Sequence, residues 1–264
     1  MPNMAEPAVL VELAVTAEAA GWDGVFLWDH LTYFTDDLPT VDPWVVLGAI
    51  AQATSSARLG TMVTPLSRRR PWHVAKEVAT LDHLSGGRAV LGVGLGVPVD
   101  RDFEAFGERS DDGLRAEMLD ESLDLISALW SGEHVRHEGE HYQVDTTLQP
   151  APVQQPRPPV WVAGRWPNRR PFERAARWDG VAPLMASTEG IGLCRPDDVR
   201  TIVEFCRGQR VTTAPFDVVV AAHWEHTPAE YAAAGVTWLI QSWNAEPGWV
   251  DALGELVEAG PRPA

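Results

Sequence analysis

Residues 42–96 run DPWVVLGAIAQATSSARLGTMVTPLSRRRPWHVAKEVATLDHLSGGRAVLGVGLG, and their rhythm decides the fold. Asp42-Pro43 supplies a cap followed by a first-turn proline, which opens a helix to about Ser55. Arg58 to Thr64 then reads as a buried strand. Pro71 opens a second helix to Leu84, Ser85-Gly86-Gly87 makes the turn, and Ala89 to Gly94 is again a strand. Short apolar strands alternating with amphipathic helices imply a parallel sheet covered by helices.

The alternation extends in both directions. Upstream, Val9, Leu13 and Ala17 mark a helix over 7–20 ended by Gly21, and Gly24 to Trp28 is a strand. Downstream, 95–113 reads as a long polar loop, and Leu119, Leu123, Ile126 and Trp130 mark a helix. Residues 133–145 form a β-hairpin turning at Glu138-Gly139, and Pro150, Pro152, Pro156, Pro158 and Pro159 make a stiff connector. The alternation resumes at once, so 132–159 is expected to be an insertion in one domain spanning 1–264. Strands Val160–Ala163, Val181–Leu184, Phe216–Ala221 and Val236–Ser242 follow, with helices at 171–178, from Pro196, and near 248–259. Thr227-Pro228-Ala229-Glu230 has capping-box spacing and opens another. The sum is eight helices and seven strands, with a helix first. A closed (β/α)₈ barrel needs eight strands, so the expectation is a TIM barrel whose first strand is missing or reduced to Met1–Asn3.

Length agrees: 264 residues suit one such barrel. With 21 Lys+Arg against 37 Asp+Glu the net charge is −16, which repels phosphate backbones and anionic lipid. Nucleic acid and membrane surfaces are therefore excluded as partners. Glu6 and Glu12 interrupt any secretory leader, and a cytoplasmic protein is expected. Cys194 and Cys206 form no CxxC pair and read as reduced, inert thiols.

In parallel barrels the chemistry lies at the C-terminal ends of the strands. Trp28-Asp29-His30 sits at such an end and offers an indole and an ionisable pair. A capping aspartate beside a solvated histidine is the plainer reading. Arg68, Arg69 and Arg70 follow one strand, and Arg165, Arg169, Arg170, Arg174 and Arg177 follow another. They are either anion-holding forks or, for the last three, a solvated stripe. Gly92, Gly94 and Gly96 fail the dinucleotide fingerprint, leaving room for a flat group or close packing. Trp28, Trp166, Trp224 and Trp243 fall near strand ends, for stacking or for packing. No HxH or HExxH occurs, His134, His137 and His141 read as solvated hairpin residues, and no metal site is expected.

The runs AEAAGWDGVFLWDH (17–30), DPWVVLGAIAQATSSARLGTMVTP (42–65), RRPWHVAKEVATLDHLSGGRAVLGVGLG (69–96) and ERAARWDGVAPL (173–184) resemble the bacterial luciferase-like family of flavin-dependent oxidoreductases. The resemblance implies a TIM barrel, usually a homodimer, with reduced FMN or the deazaflavin coenzyme F420 at the barrel mouth. It places Asp29 and His30 on the active-site pair and Met62-Val63 where members often have a non-prolyl cis peptide. Leu95 and Gly96 fall on the wall beside the ring, with Trp28 at the rim. Ala163, Gly164 and Arg165 match a post-strand turn holding the cofactor. Trp166 stands where a small hydroxyl residue is common.

The expectation is thus a flavin-dependent oxidoreductase acting on a small molecule. It is either an FMN monooxygenase or an F420-dependent hydride-transfer enzyme, with His30 moving the proton and Asp29 setting its tautomer. A flavin binder without turnover is the alternative.

Overall fold

The computed structural model describes residues 1–33, 38–187, 190–223, 225–241, 246 and 248–261. The chain falls into two compact units, residues 1–158 with 245–260, and residues 159–244 with 261–264.

In the first unit α1 (Pro7–Ala19) leads into β1 (Gly24–Leu27), α2 (Pro43–Ala53) into β2 (Arg58–Pro65), and α3 (Pro71–Ser85) into β3 (Ala89–Gly94). Each helix starts with proline at its first turn. Asp42 caps α2 by accepting the Val45 N–H at 3.0 Å. Gly86 ends α3 in the left-handed conformation, φ 65°, which only glycine adopts cheaply. The three strands pair in parallel, Leu27 beside Thr61 and Leu59 beside Ala89, and β3 is buried throughout. Burial on both faces explains why these strands read as continuous apolar runs.

Ahead of α1, Met1 lies along β1. Its nitrogen donates to Phe26 O at 2.6 Å and its carbonyl accepts from Trp28 N at 2.9 Å, one residue's worth of parallel ladder.

The stretch 95–113 departs from the expected loop. It contains a single-turn helix, α4 (Val99–Asp102), and a 3-10 turn at Glu104–Phe106. Then come α5 (Asp112–Leu129), capped by Asp111, and the hairpin of β4 (His134–Glu138) with β5 (Gln143–Thr147). The Glu121 carboxylate anchors that hairpin, accepting from His141 N at 2.9 Å and Tyr142 N at 2.8 Å and pairing with His137 at 2.9 Å. His137 and His141 are accordingly half-buried rather than solvated, and only His134 stands out in solvent.

The second unit holds β6 (Val160–Trp166), α6 (Arg170–Ala175), β7 (Gly180–Ser187), β8 (Gly190–Gly192), α7 (Pro196–Gln209), β9 (Asp217–Ala221), α8 (Pro228–Ala233) and β10 (Trp238–Ile240). β6, β7, β9 and β10 pair in parallel in that order. β7 outruns its apolar core and folds back on β8, an antiparallel extension that nothing in the sequence reading anticipates. β6 likewise runs three residues past Ala163, so Gly164, Arg165 and Trp166 are ladder residues opposite Pro183, Leu184 and Met185, not a post-strand turn. The capping box at α8 forms as its spacing implies, Thr227 Oγ1 accepting from Glu230 N and Glu230 from Thr227 N. The last helix, α9 (Trp249–Glu258), belongs to the first unit, where Trp22 donates to Val257 O at 3.0 Å.

The fold is therefore α/β with parallel strands, seven of them among the described residues besides the hairpin and β8.

Candidate functional site

β1 ends at Leu27, and the next three residues carry the chemistry. Trp28 is half-buried, Asp29 is 3% exposed, and His30 is half-buried. The two ionisable groups find different partners.

Asp29 turns into the unit. Its Oδ1 and Oδ2 accept from Arg69 Nη2 and Nε at 3.0 Å each, and Arg68 Nη2 adds a third bond at 2.9 Å. Arg68 Nη2 also donates to the Asp29 carbonyl. Such a bidentate, charge-assisted pair fixes geometry as well as charge. Arg69 is further surrounded by Asp42 and Glu77; burial lowers its affinity for the proton, and Asp29 and these acids more than restore it. Arg68 and Arg69 are thus consumed internally, which corrects their reading as forks waiting for an external anion. Arg70, exposed, lies against Trp72.

His30 takes its partner from 72 residues away. Nδ1 stands 2.8 Å from Oδ2 of Asp102, which is 1% exposed at the end of α4. Asp102 Oδ1 accepts from Leu31 N at 3.2 Å and Thr32 N at 3.0 Å, and Arg68 Nη1 reaches Oδ2 at 3.1 Å. Burial alone would raise the Asp102 pKa. The hydrogen bonds from His30 and Thr32 and the charge of Arg68 hold it far below the usual carboxylate range. An ionised carboxylate only accepts, so Nδ1 carries the proton and Nε2 of the neutral ring is the acceptor. Among the described residues Nε2 has no hydrogen-bond partner. The orienting residue is thus Asp102, not Asp29 as adjacency suggested. Asn3, fully buried, donates to His30 O at 3.0 Å and Val41 O at 2.7 Å, pinning the backbone of this loop.

Around His30, Trp28 packs edge-on at 5.7 Å between centroids and Tyr33 lies at 4.8 Å. Within the second half of β2 Met62 and Val63 are half-buried, as are Leu95 and Gly96 just beyond β3, whereas most of the strand residues before them are buried. The Met62–Val63 peptide is cis, at the point where the β2–β3 register shifts. Arg115, 1% exposed, donates to Leu95 O at 2.8 Å and Gly96 O at 3.2 Å and lies 4.4 Å from the centre of the Phe103 ring. Gly96 has φ 82°, and a Cβ there would meet Pro65 at 2.7 Å. A Cβ on Gly92 would lie 2.1 Å from Thr61 O. Close packing therefore requires glycine at both positions.

In the second unit Ala163 and Gly164 are half-buried and Arg165 is exposed. Trp166 packs edge-on against Phe172 at 5.2 Å and Phe205 at 5.6 Å. Of the five arginines near it, Arg165, Arg169, Arg170 and Arg177 are exposed and Arg174 is 7% exposed. Trp224 and Trp243 lie outside the described residues. No helix among the described residues is long and apolar enough to cross a membrane.

Comparison with known proteins converges on one family. The family model described as luciferase-like monooxygenase matches residues 2–192. An F420-dependent glucose-6-phosphate dehydrogenase of Nakamurella multipartita is 42% identical over 148 residues, covering 53% of this chain and 41% of that protein. The protein of the same description from Beutenbergia cavernae is 32% identical over 245 residues, 90% of this chain and 69% of its own length. Apart from that alignment, the chain spans about half the length of the curated relatives it matches. The solved structure of an F420-dependent secondary alcohol dehydrogenase with an F420-acetone adduct superposes with a TM-score of 0.70 at 22% identity, covering 83% of this chain and 65% of that one. FMN-bound neighbours share the fold as well.

Proposed function

The chain belongs to the luciferase-like monooxygenase family, and on that premise we propose that it is an F420-dependent oxidoreductase that oxidises a small hydroxyl-bearing molecule by hydride transfer. The observation that carries this reading is the 2.8 Å contact of His30 Nδ1 with Asp102, which leaves Nε2 as a proton acceptor beyond the C-terminal end of β1. The description of the relatives as F420-dependent dehydrogenases supports F420 over FMN.

The residues present suit a flat, largely apolar ring. Met62, Val63 and Leu95 offer partly exposed aliphatic surface and Trp28 an indole, on or just beyond the C-terminal halves of three adjacent parallel strands. We assign Trp28, Met62, Val63, Leu95 and Gly96 to the ring. In their own unit Ala163, Gly164, Arg165 and Trp166 are assigned to the cofactor on the family resemblance, with Arg165 the exposed guanidinium suited to a phosphate. When bound, F420 supplies a two-electron acceptor that takes hydride and does not need oxygen.

The chain supplies the proton chemistry. His30 Nε2 accepts the hydroxyl proton as the carbon loses hydride, and the ionised Asp102 stabilises the imidazolium that forms. Asp29, locked to Arg68 and Arg69, acts as a brace under the loop: it holds the arginine that in turn holds Asp102. The homodimer and a cytoplasmic location belong to this reading on the family resemblance.

The test is to follow F420 absorbance while the full chain is offered simple alcohols and phosphorylated sugars, with FMN and oxygen uptake as a parallel arm. Substrate-dependent F420 reduction without oxygen uptake is the expected result. Oxygen uptake with FMN alone would make it a monooxygenase, and binding without either reaction would make it a carrier.

A further inference from the structure

We infer that the segment after β9 is a binding site for a divalent transition-metal ion of the zinc class, ligated by His223, Glu225 and His226. The sequence HWEH at 223–226 matches no common metal motif, and the flavin chemistry makes no use of it. Folding nevertheless gathers its ligand atoms: one from each of the three side chains lie within 4.8 Å of one another.

Several independent features point the same way. Both ring nitrogens of His226 are buried and have no hydrogen-bond partner, an expensive state for a polar ring. Nδ1 of that ring faces Glu230 Oε1 at 3.6 Å, and Glu230 is itself held by the α8 capping box. Metal-ligating histidines commonly direct their second nitrogen at a carboxylate in this way, which leaves Nε2 of His226 for the ion. His223 is fixed through its backbone, whose N–H donates to the Tyr231 hydroxyl at 3.0 Å, and that hydroxyl donates to Cys194 O at 2.8 Å. Glu225 Oε2 lies 3.8 Å from His223 Nδ1 and accepts from Arg195 Nη2 at 3.3 Å, so one carboxylate oxygen faces the imidazole and the arginine together.

Two imidazoles and a carboxylate are a borderline donor set that suits Zn²⁺ and its neighbours rather than Mg²⁺ or Ca²⁺. Tetrahedral ligands about 2.1 Å from an ion stand roughly 3.4 Å apart, so side-chain rotation of about an ångström completes the site, with water as fourth ligand. The ion would clip the end of β9 to the start of α8. The inference is independent of the proposed oxidoreductase activity.

Calorimetric titration of the metal-stripped full chain with ZnCl₂, paired with the visible spectrum of the Co²⁺ form, tests it. The expected result is one ion per chain and an intense Co²⁺ band. Binding should weaken about tenfold or more in Glu225→Gln, an exposed position that does not threaten folding, and vanish in His226→Ala. It should be unchanged in His134→Gln on the hairpin. No heat and no Co²⁺ band in the wild type, binding unaffected by Glu225→Gln and His226→Ala, or binding lost in His134→Gln would each overturn it.

Discussion

Asp102 Oδ2 and His30 Nδ1, 72 residues apart in sequence, meet at 2.8 Å, and Arg68 contacts the same oxygen at 3.1 Å. The carboxylate therefore serves an imidazole, a guanidinium and two backbone N–H groups at once. Its depressed pKa has a definite consequence. The folded protein keeps Asp102 ionised where the unfolded chain takes up a proton, so its stabilisation is complete above the ordinary carboxylate range and is lost as pH falls below about 4. Denaturant unfolding at pH 7 and pH 3 should show a larger acid loss for wild type than for Asp102→Asn. Equal losses would show that the network contributes nothing to acid sensitivity. At neutral pH the variant should be less stable and turn over about a hundredfold more slowly, because the amide cannot stabilise an imidazolium.

Arg88 is 9% exposed and closes the end of α2. Its guanidinium donates to Ala51 O, Thr54 O and Thr54 Oγ1 at 2.9 Å, to Ala57 O at 2.8 Å and to Ser85 O at 2.7 Å. Arg88→Met leaves these acceptors buried without donors and should cost about 3 kcal/mol. A loss under about 1 kcal/mol in chemical denaturation would contradict that arrangement.

Glu18 organises the turn before β2. Its carboxylate accepts the N–H groups of Ser55, Ser56 and Ala57 at 2.6–2.9 Å. Burial would raise its pKa, but those bonds outweigh it and hold the group at about 2 against 4.5 ordinarily. The contribution is thus present above about pH 4.5 and fades as pH falls toward 2. Because the side chain is partly solvated, Glu18→Gln should cost only about 1 kcal/mol at pH 7 and nothing at pH 2.

Cys194 and Cys206 are buried, and burial pushes both thiols up to about 12. The thiolate is the nucleophile, so a disulfide reagent at pH 8 should label neither until the protein unfolds. Rapid labelling of the native protein would contradict this.

Much of this architecture was legible. The parallel alternation shows in Pro43, Pro71 and the apolar runs of β2 and β3, because burial on both faces leaves an unbroken signal. The strand-end position of His30 followed from the same pattern. Asp102 was not legible: VDRD in a polar stretch has no periodicity, and its burial depends on a contact made across 72 residues. Adjacency in sequence pairs Asp29 with His30, but each takes its partner from a distant segment, Asp29 from Arg68 and Arg69 and His30 from Asp102. The extra length of β6 and β7 was missed because Arg165 and Ser187 carry no apolar signal while backbone pairing continues.

Whether His30 moves the substrate proton beside a bound deazaflavin is read from wild type against His30→Ala, in F420 binding and in substrate-dependent F420 reduction. The variant should keep F420 affinity within about threefold of wild type while turnover falls about a hundredfold or more. Unchanged turnover, or failure of the wild-type chain to bind F420 at all, would contradict that role.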